Sequence, residues 1–313
     1  MRENKRILLT VDGTAESLSV VRYVSETLHP VGTEVCVFHV ISKVAEVFWD
    51  LGNDPDWSPK IEAIREYEQK QEESAVNFVT KSAKILKDAG FQPENVSTRL
   101  VAKHEGIARD ILVEARRGGY DVLVIGRGKV GSLQNMPLGS VASKIVSAVS
   151  APSLWLVGGK PSSEKILVAI DSSANALAAV KHAGKMLSHD KNSITLFHAI
   201  RGIEVSGEGM EDIFPGSYRR RLQEDAEKGI RGAFKSAEIA LRTMDISPDR
   251  ISTKIVTSAS SRAEAIFNEA NTSGYGTIVT GRRGLSVVID FSMGRVTNKL
   301  TQLAREQALC IVG

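Results

Sequence analysis

The feature that most constrains this chain is that it is written twice. RILLTVDGTAESLSVVRYV, from Arg6, matches KILVAIDSSANALAAVKHA, from Lys165, and sets Asp12 and Asp171 159 residues apart. TEVCVFHVI and NSITLFHAI keep that offset at His39 and His198. Further on, YDVLVIGRG matches YGTIVTGRR; Gly126 and Gly281, and then Gly139 and Gly294, stand 155 residues apart. Matches in one order with so small a drift in offset mark a duplicated domain. The 313 residues then divide into two units of ordinary domain size, 1–158 and 164–313. A Gly/Pro/Ser linker at 159–163, inside GGKPSSE, joins them.

Each unit alternates strand and helix. In the first, ILLTV is a strand, and Ser17 opens a helix with Leu18, Val21, Val24 and Leu28 on one face. EVCVFHV, VSTRLV, DVLVIG and SLWLV are the remaining strands. Between them lie a long charged helix over 59–86, one marked by Ile107, Ile111, Leu112 and Ala115, and one marked by Val141, Ile145 and Val149. Continuous apolar strands alternating with helices predict an α/β fold, a parallel sheet covered on both faces. The fold class is therefore two tandem five-stranded parallel-sheet, Rossmann-like domains. Ligands of such sheets bind beyond the carboxyl ends of the strands, where Asp12, Val40 and Gly126 fall.

The loop GRGKVGSLQNMPLGS, Gly126 to Ser140, carries the functional signal. Read literally, Gly126-x-Gly128-x-x-Gly131 is the dinucleotide fingerprint, but that belongs after the first strand with an acidic residue about 20 positions on. This loop follows the fourth strand and leads into VSAVSAPS, which has no carboxylate. Nor is it a P-loop, because Lys129 is followed by Val130 rather than Ser or Thr. What fits is Gly, two residues, Gly, nine residues, Gly-Ser/Thr, placed after a late strand and opening a helix. Ser140 is then a suitable N-cap, and the free N–H groups and dipole of the helix that follows favour phosphate.

With LLTVDGT and LVAIDSS, FHV and FHA, and GRGK…LGSV and GRRG…MGRV, nearly the whole chain resembles the universal stress protein family in two tandem copies. The resemblance implies an adenine nucleotide α-hydrolase-like fold, ATP or AMP as ligand with Mg2+ as its accompanying ion, and pairing of domains through their last strands. SLWLV and LCIVG are the candidate edges for that pairing, within one chain or in a homodimer. The resemblance places adenine at Asp12 and Val40, ribose near Gly126, and phosphates at Gly139, Ser140 and Val141. Gly128 and Lys129 belong to the same loop. A weaker second site would comprise Asp171, Ala199, Gly281, Gly284, Gly294, Arg295 and Val296.

Each copy breaks the motif once. Lys129 stands where the second glycine belongs; a non-glycine there costs about 1–2 kcal/mol if the position needs positive φ, unless a neighbouring glycine takes the turn. In the second copy Arg295 replaces the Ser/Thr, bringing bulk and charge, and Asn175 and Ala199 replace Glu16 and Val40. The first copy is therefore the expected nucleotide site.

Composition narrows the alternatives. A net charge of +3 gives no mandate for nucleic acid, and no apolar run approaches the roughly 20 residues of a membrane span. The N-terminus lacks a signal peptide's long apolar region, and Cys36 and Cys310 lie in strand-like runs, as expected for buried thiols in a reducing cytoplasm. No HExxH pair or nucleophile elbow is present, so no catalytic residue and no metal ligand is assigned, and ATP hydrolysis is at most slow. His39 and His198 read as packing residues, Arg219-Arg220-Arg221 as a solvated helix face, and Phe48-Trp49 with Trp57 as a core-edge cover or a lid. Two functions remain open: a cytoplasmic, ATP- or AMP-dependent stress regulator acting through partners, or a nucleotide-free scaffold of the same fold. An adenylating enzyme ranks last, for want of an SGGxDS loop or an HxGH signature.

Overall fold

The apolar runs do form the strands expected of them, and within each half their carboxyl ends line up on one edge. A computed structural model describes residues 4–43, 58–128, 138–187, 192–202, 213, 215–285 and 293–313. The first half runs β1 (Lys5–Thr10), α1 (Ala15–Thr27), β2 (Thr33–Ile41), α2 (Ser58–Asp88), β3 (Val96–Ala102), α3 (Ile107–Arg117), β4 (Val122–Gly126), α4 (Ser140–Ala148) and β5 (Ser153–Val157). The second repeats it: β6 (Lys165–Ala169), α5 (Ala174–Leu187), β7 (Ser193–Arg201), α6 (Gly216–Arg242), β8 (Ile251–Ala259), α7 (Arg262–Thr272), β9 (Thr277–Gly281), α8 (Arg295–Leu303) and β10 (Ala308–Val312). The aromatic insert at Phe48-Trp49 and Trp57 lies outside the described residues.

The ten strands form one sheet, in the order β3-β2-β1-β4-β5-β10-β9-β6-β7-β8. Each half is parallel throughout. The two meet at an antiparallel pair, β5 with β10, in which Leu154 faces Ile311, Trp155 faces Cys310 and Leu156 faces Leu309. Residues 154–157 of β5 and the whole of β10 are apolar and buried because both faces of the sheet are covered there. One layer of core, holding Trp155, Val157, Ala308 and Cys310, runs from the first half into the second. The opposite layer, holding Leu154, Leu156, Leu309 and Ile311, does the same.

The helices show why pattern alone slightly misplaces a face. Helix α1 starts two residues before Ser17, with Thr14 as N-cap accepting from the Ser17 N–H. Its buried stripe is Ser17, Val20, Val21, Tyr23, Val24 and Thr27; Leu18 sits half-buried on the flank. Tyr23 explains the shift, since it points at the other half: its hydroxyl lies 2.7 Å from the Thr277 Oγ1 of β9. Arg220 and Arg221 are exposed on α6, as a solvated face should be.

The interface is asymmetric where a duplicated interface would begin symmetric. Trp155 and Cys310 are equivalent positions of the two copies and are also register partners. Tyr23 and His182 are equivalent too, and they flank the same indole: Trp155 donates its Nε1–H to His182 Nε2 at 2.9 Å, with the Tyr23 ring edge-on 6.3 Å away. The large indole opposite a thiol and the donor opposite an acceptor fill and satisfy the seam, which two copies of either half could not do alike. Burial pushes the Tyr23 hydroxyl and the Cys310 thiol far up, so both stay neutral.

Burial also lowers the His182 imidazole from 6.5 to about 4, against the opposing pull of Asp121. The unfolded chain therefore takes up this proton first, and stability present above pH 6.5 is lost as pH falls towards 4, at about 1.4 kcal/mol per pH unit for one such group. His198, lowered by burial as well, adds to the slope. In urea titrations between pH 7 and pH 4, His182→Gln, which keeps an acceptor for the indole, is expected to flatten the acid loss by about that amount per unit.

Candidate functional site

The carboxyl edge of the first half is built by three strand ends. Past β1, Val11 is held between β2 partners: its N–H donates to the Phe38 carbonyl at 3.0 Å, and its own carbonyl accepts from His39 Nδ1 at 2.7 Å. His198 repeats this with the Ile170 carbonyl, also at 2.7 Å. Both histidines thus fasten β2-type to β1-type strand ends. Asp12 then turns the chain into α1: its Oδ1 accepts from the Thr14 N–H at 3.0 Å and the Thr14 hydroxyl at 2.6 Å. Its carboxylate remains exposed, while Val40, near the end of β2, is buried.

Gly126 ends β4 opposite Val157, and the next residue does something the motif does not announce. Arg127 is buried at 7% exposure. Its N–H donates to the Val157 carbonyl at 3.1 Å, its carbonyl accepts from the Gly139 N–H at 2.8 Å, and its Nη1 crosses to the Thr301 carbonyl of α8 at 2.7 Å. Arg282, its twin, reaches back to the Val146 carbonyl of α4 at 3.3 Å. Each half's glycine loop is therefore anchored to the last helix of the other, where helix carbonyls favour a cation. Burial and the neighbouring Arg305 lower the Arg127 guanidinium to about 10, with Glu306 opposing; it stays charged at neutral pH. The signal was in the sequence, since Gly-Arg follows the fourth strand in both copies.

Gly128 takes the turn. Its φ is +76°, and a Cβ on it would lie 3.5 Å from the Gly139 Cα. The two ends of the loop, Gly128 and Gly139, therefore touch. Lys129 lies outside the described residues. In the second half Gly284, at the corresponding position, is not in the positive-φ region; its Cβ would instead meet Asp171 Oδ2 at 2.5 Å. That position is small because the strand-end aspartate comes close, not because of its φ.

Ser140 is not the N-cap. Gly139 is, in extended conformation, and Ser140 is the first residue of α4, exposed. A glycine brings no side-chain acceptor, so among the described residues no side chain caps α4, and α8 behind Gly294 is alike. By contrast α1 and α7 are capped by Thr14 and Ser261. The donors left at the start of α4 face a cleft of about 1230 Å³ lined by Asp12, Val40, Gly126, Gly128, Gly139, Ser140 and Val141. Val11, Ile107, Ile111 and Ile125 make its apolar wall. The structure thus brings together every described residue of the expected first site.

The second half gathers Asp171, Ala199, Gly281, Gly284, Gly294, Arg295 and Val296 around a cleft of only about 420 Å³. Beside it, Asn175 donates its Nδ2 to the Arg283 carbonyl at 3.1 Å. Its backbone and Cβ also leave no room for a Cβ on Gly281. Glu16, its counterpart, lines the first cleft without closing it. Arg201, Arg262, Arg283 and Lys299 crowd the second cleft with Arg295. Among the described residues no group of three or more His, Cys, Asp or Glu is placed to hold a metal ion, and no helix is long and apolar enough to cross a membrane.

Two copies of a doubly wound parallel sheet, each with a glycine loop and a helix N-terminus at its own carboxyl edge, define a tandem Rossmann-like protein. The chain belongs to the universal stress protein family, whose model matches residues 3–155 and again 162–311. A universal stress protein of Mycolicibacterium smegmatis is 26% identical over 181 residues, 56% of this chain and 58% of that relative's length. The fold matches the crystal structure of a universal stress protein from Archaeoglobus fulgidus with a TM-score of 0.60 at 16% identity, over 99% of this chain and 98% of that one. A functionally unknown protein from Pseudomonas aeruginosa PAO1 matches with a TM-score of 0.57 at 13% identity, over 99% and 93% of the two chains.

Because φ is positive at Gly128 and not at Gly284, the two glycines should respond differently to a methyl group. Gly128→Ala is expected to lower stability by about 1–2 kcal/mol, and Gly284→Ala by less, since a turn of the Asp171 side chain relieves its contact. Urea midpoints of the two variants check this.

Proposed function

We propose that the first half binds an adenine nucleotide, ATP or AMP, and that the chain is a nucleotide-dependent regulator in a cytoplasmic stress response, acting through protein partners rather than turnover. The division into units at 1–158 and 164–313 belongs to the same reading. The observation that carries it is the uncapped α4 N-terminus opening on the larger cleft. Backbone donors with no side-chain acceptor, at the positive end of a helix, suit phosphate oxygens. The apolar wall at the Asp12 and Val40 end suits a base. Asp12, whose Oδ1 is engaged by Thr14, keeps Oδ2 for an adenine amino group. Ser140 and Val141 present their N–H groups at the phosphate end, with Lys129 as a further point charge. Mg2+ would arrive with the phosphates, as it commonly does.

The family resemblance adds the choice of adenine, and the absence of an assigned base or nucleophile favours sensing over catalysis. The scaffold reading keeps a place in the second half, where Asn175 ties the loop at Arg283 to the start of α5. One nucleotide per chain is therefore expected. Mass spectrometry of small molecules released from purified, denatured protein should find ATP or AMP at about that stoichiometry. Calorimetry should show Ser140→Arg, which copies the second half, weakening ATP by at least one to two decades, roughly one charge-assisted hydrogen bond. If protein freed of nucleotide binds neither ATP nor AMP at millimolar concentration, the nucleotide reading fails.

A further inference from the structure

We propose that the first half's cleft is completed by the second half: Arg305, with Lys160 of the linker, holds the terminal phosphate of a nucleoside triphosphate, so that the cleft prefers tri- to monophosphates. The inference rests on the nucleotide reading above and goes beyond it in naming what selects the ligand. Lys160, Arg305 and Glu306 line the same cleft as Asp12 and Ser140, although none of the three belongs to the duplicated motif.

Their place follows from the sheet. Strand order puts the ends of β2, β1, β4 and β5 in a row, so Val40, Asp12, Gly126 and Gly158 succeed one another along the edge. A base at Val40 and Asp12 sends the phosphates past Gly139, towards Gly158 and the cations beyond it. This far wall is built, not casual. Gly158 is buried, and a Cβ on it would overlap the carbonyl oxygen of Arg305; one on Gly159 would overlap the Glu306 carboxylate. Gly158 also donates its N–H to the Gln307 carbonyl at 3.3 Å. The Gly-Gly of the linker is thus moulded onto the α8–β10 turn, and Lys160 leaves it on the cleft side. Among the described residues, the guanidinium of Arg305 makes only a long contact at Nε, 3.4 Å from the Gln302 carbonyl. Arg127 lies behind this wall, close enough to feel the charges of both Arg305 and Glu306.

The duplication supplies an internal control. The pseudo-two-fold places Ser150 and Ala151 of the first half where Arg305 and Glu306 stand for the other. A Cβ on Gly313 would meet the Ser150 carbonyl oxygen at 2.6 Å, the mirror of the Gly158 packing. The backbone arrangement is shared; the charge is not. Only the first cleft has cations at its far wall supplied from across the seam, among the residues lining the two clefts.

Calorimetry of the full chain, freed of nucleotide, with ATP, ADP and AMP tests this on Lys160→Ala, Arg305→Ser and the double variant. Both side chains are exposed, so an unchanged AMP affinity reports an intact fold and base site. Each single change is expected to weaken ATP by about tenfold and leave AMP unaltered, and the double variant should lose most of the ATP-over-AMP ratio. Raising salt should shrink that ratio in the original chain and not in the double variant. ATP and AMP weakened alike, or ATP untouched in both single variants, overturns the inference and leaves the nucleotide reading standing. An original chain that binds neither nucleotide overturns both.

Discussion

The antiparallel meeting of β5 and β10 is the interaction on which the rest of the molecule depends. Each strand, taken within its own half, is an apolar edge with a row of unpaired peptide groups, an arrangement prone to open-ended association. Pairing them satisfies those groups and makes each layer of core continuous across the seam. Burial on both faces leaves no polar alternation along SLWLV or ALCIV. The seam is also directional. Trp155 with His182 and Tyr23 with Thr277 are matched across it, and each half on its own carries only one side of each pair.

From that seam the geometry passes to the cleft through a short chain of hydrogen bonds. Val157 ends β5 and accepts from the Arg127 N–H, while Arg127 accepts from Gly139 and reaches into α8. The loop that precedes α4 is therefore tied at both ends to residues of the interface. A ligand at the start of α4 would sit one residue from a side chain locked into the other half.

Much of this was legible beforehand, because strands buried on both faces write themselves as unbroken apolar runs and a duplication writes them twice. The strand-end positions of Asp12, Val40 and Gly126 followed from the same runs. The misreadings are local and have local causes. Ser140 looked like a cap by residue type, yet the extended residue before the helix is Gly139, because the loop must close against Gly128 there. Leu18 looked buried by period, yet the stripe turns towards Tyr23 to meet Thr277. The positive φ of the loop falls on Gly128, the glycine next to Lys129.

Alone, the sequence determined two parallel five-stranded units, the edge on which a ligand would bind, and the chemistry of a loop ending in an open helix start. Those are properties of neighbours along the chain and of apolar period, which residue order states directly. Only the tertiary structure decided that the two units share one sheet, that Arg127 and Arg282 lock each loop to the opposite half, and that one cleft is narrow while the other is wide. These depend on residues far apart in sequence meeting in space. Two copies with nearly the same local pattern differ there because a side chain's role is set by what packs against it.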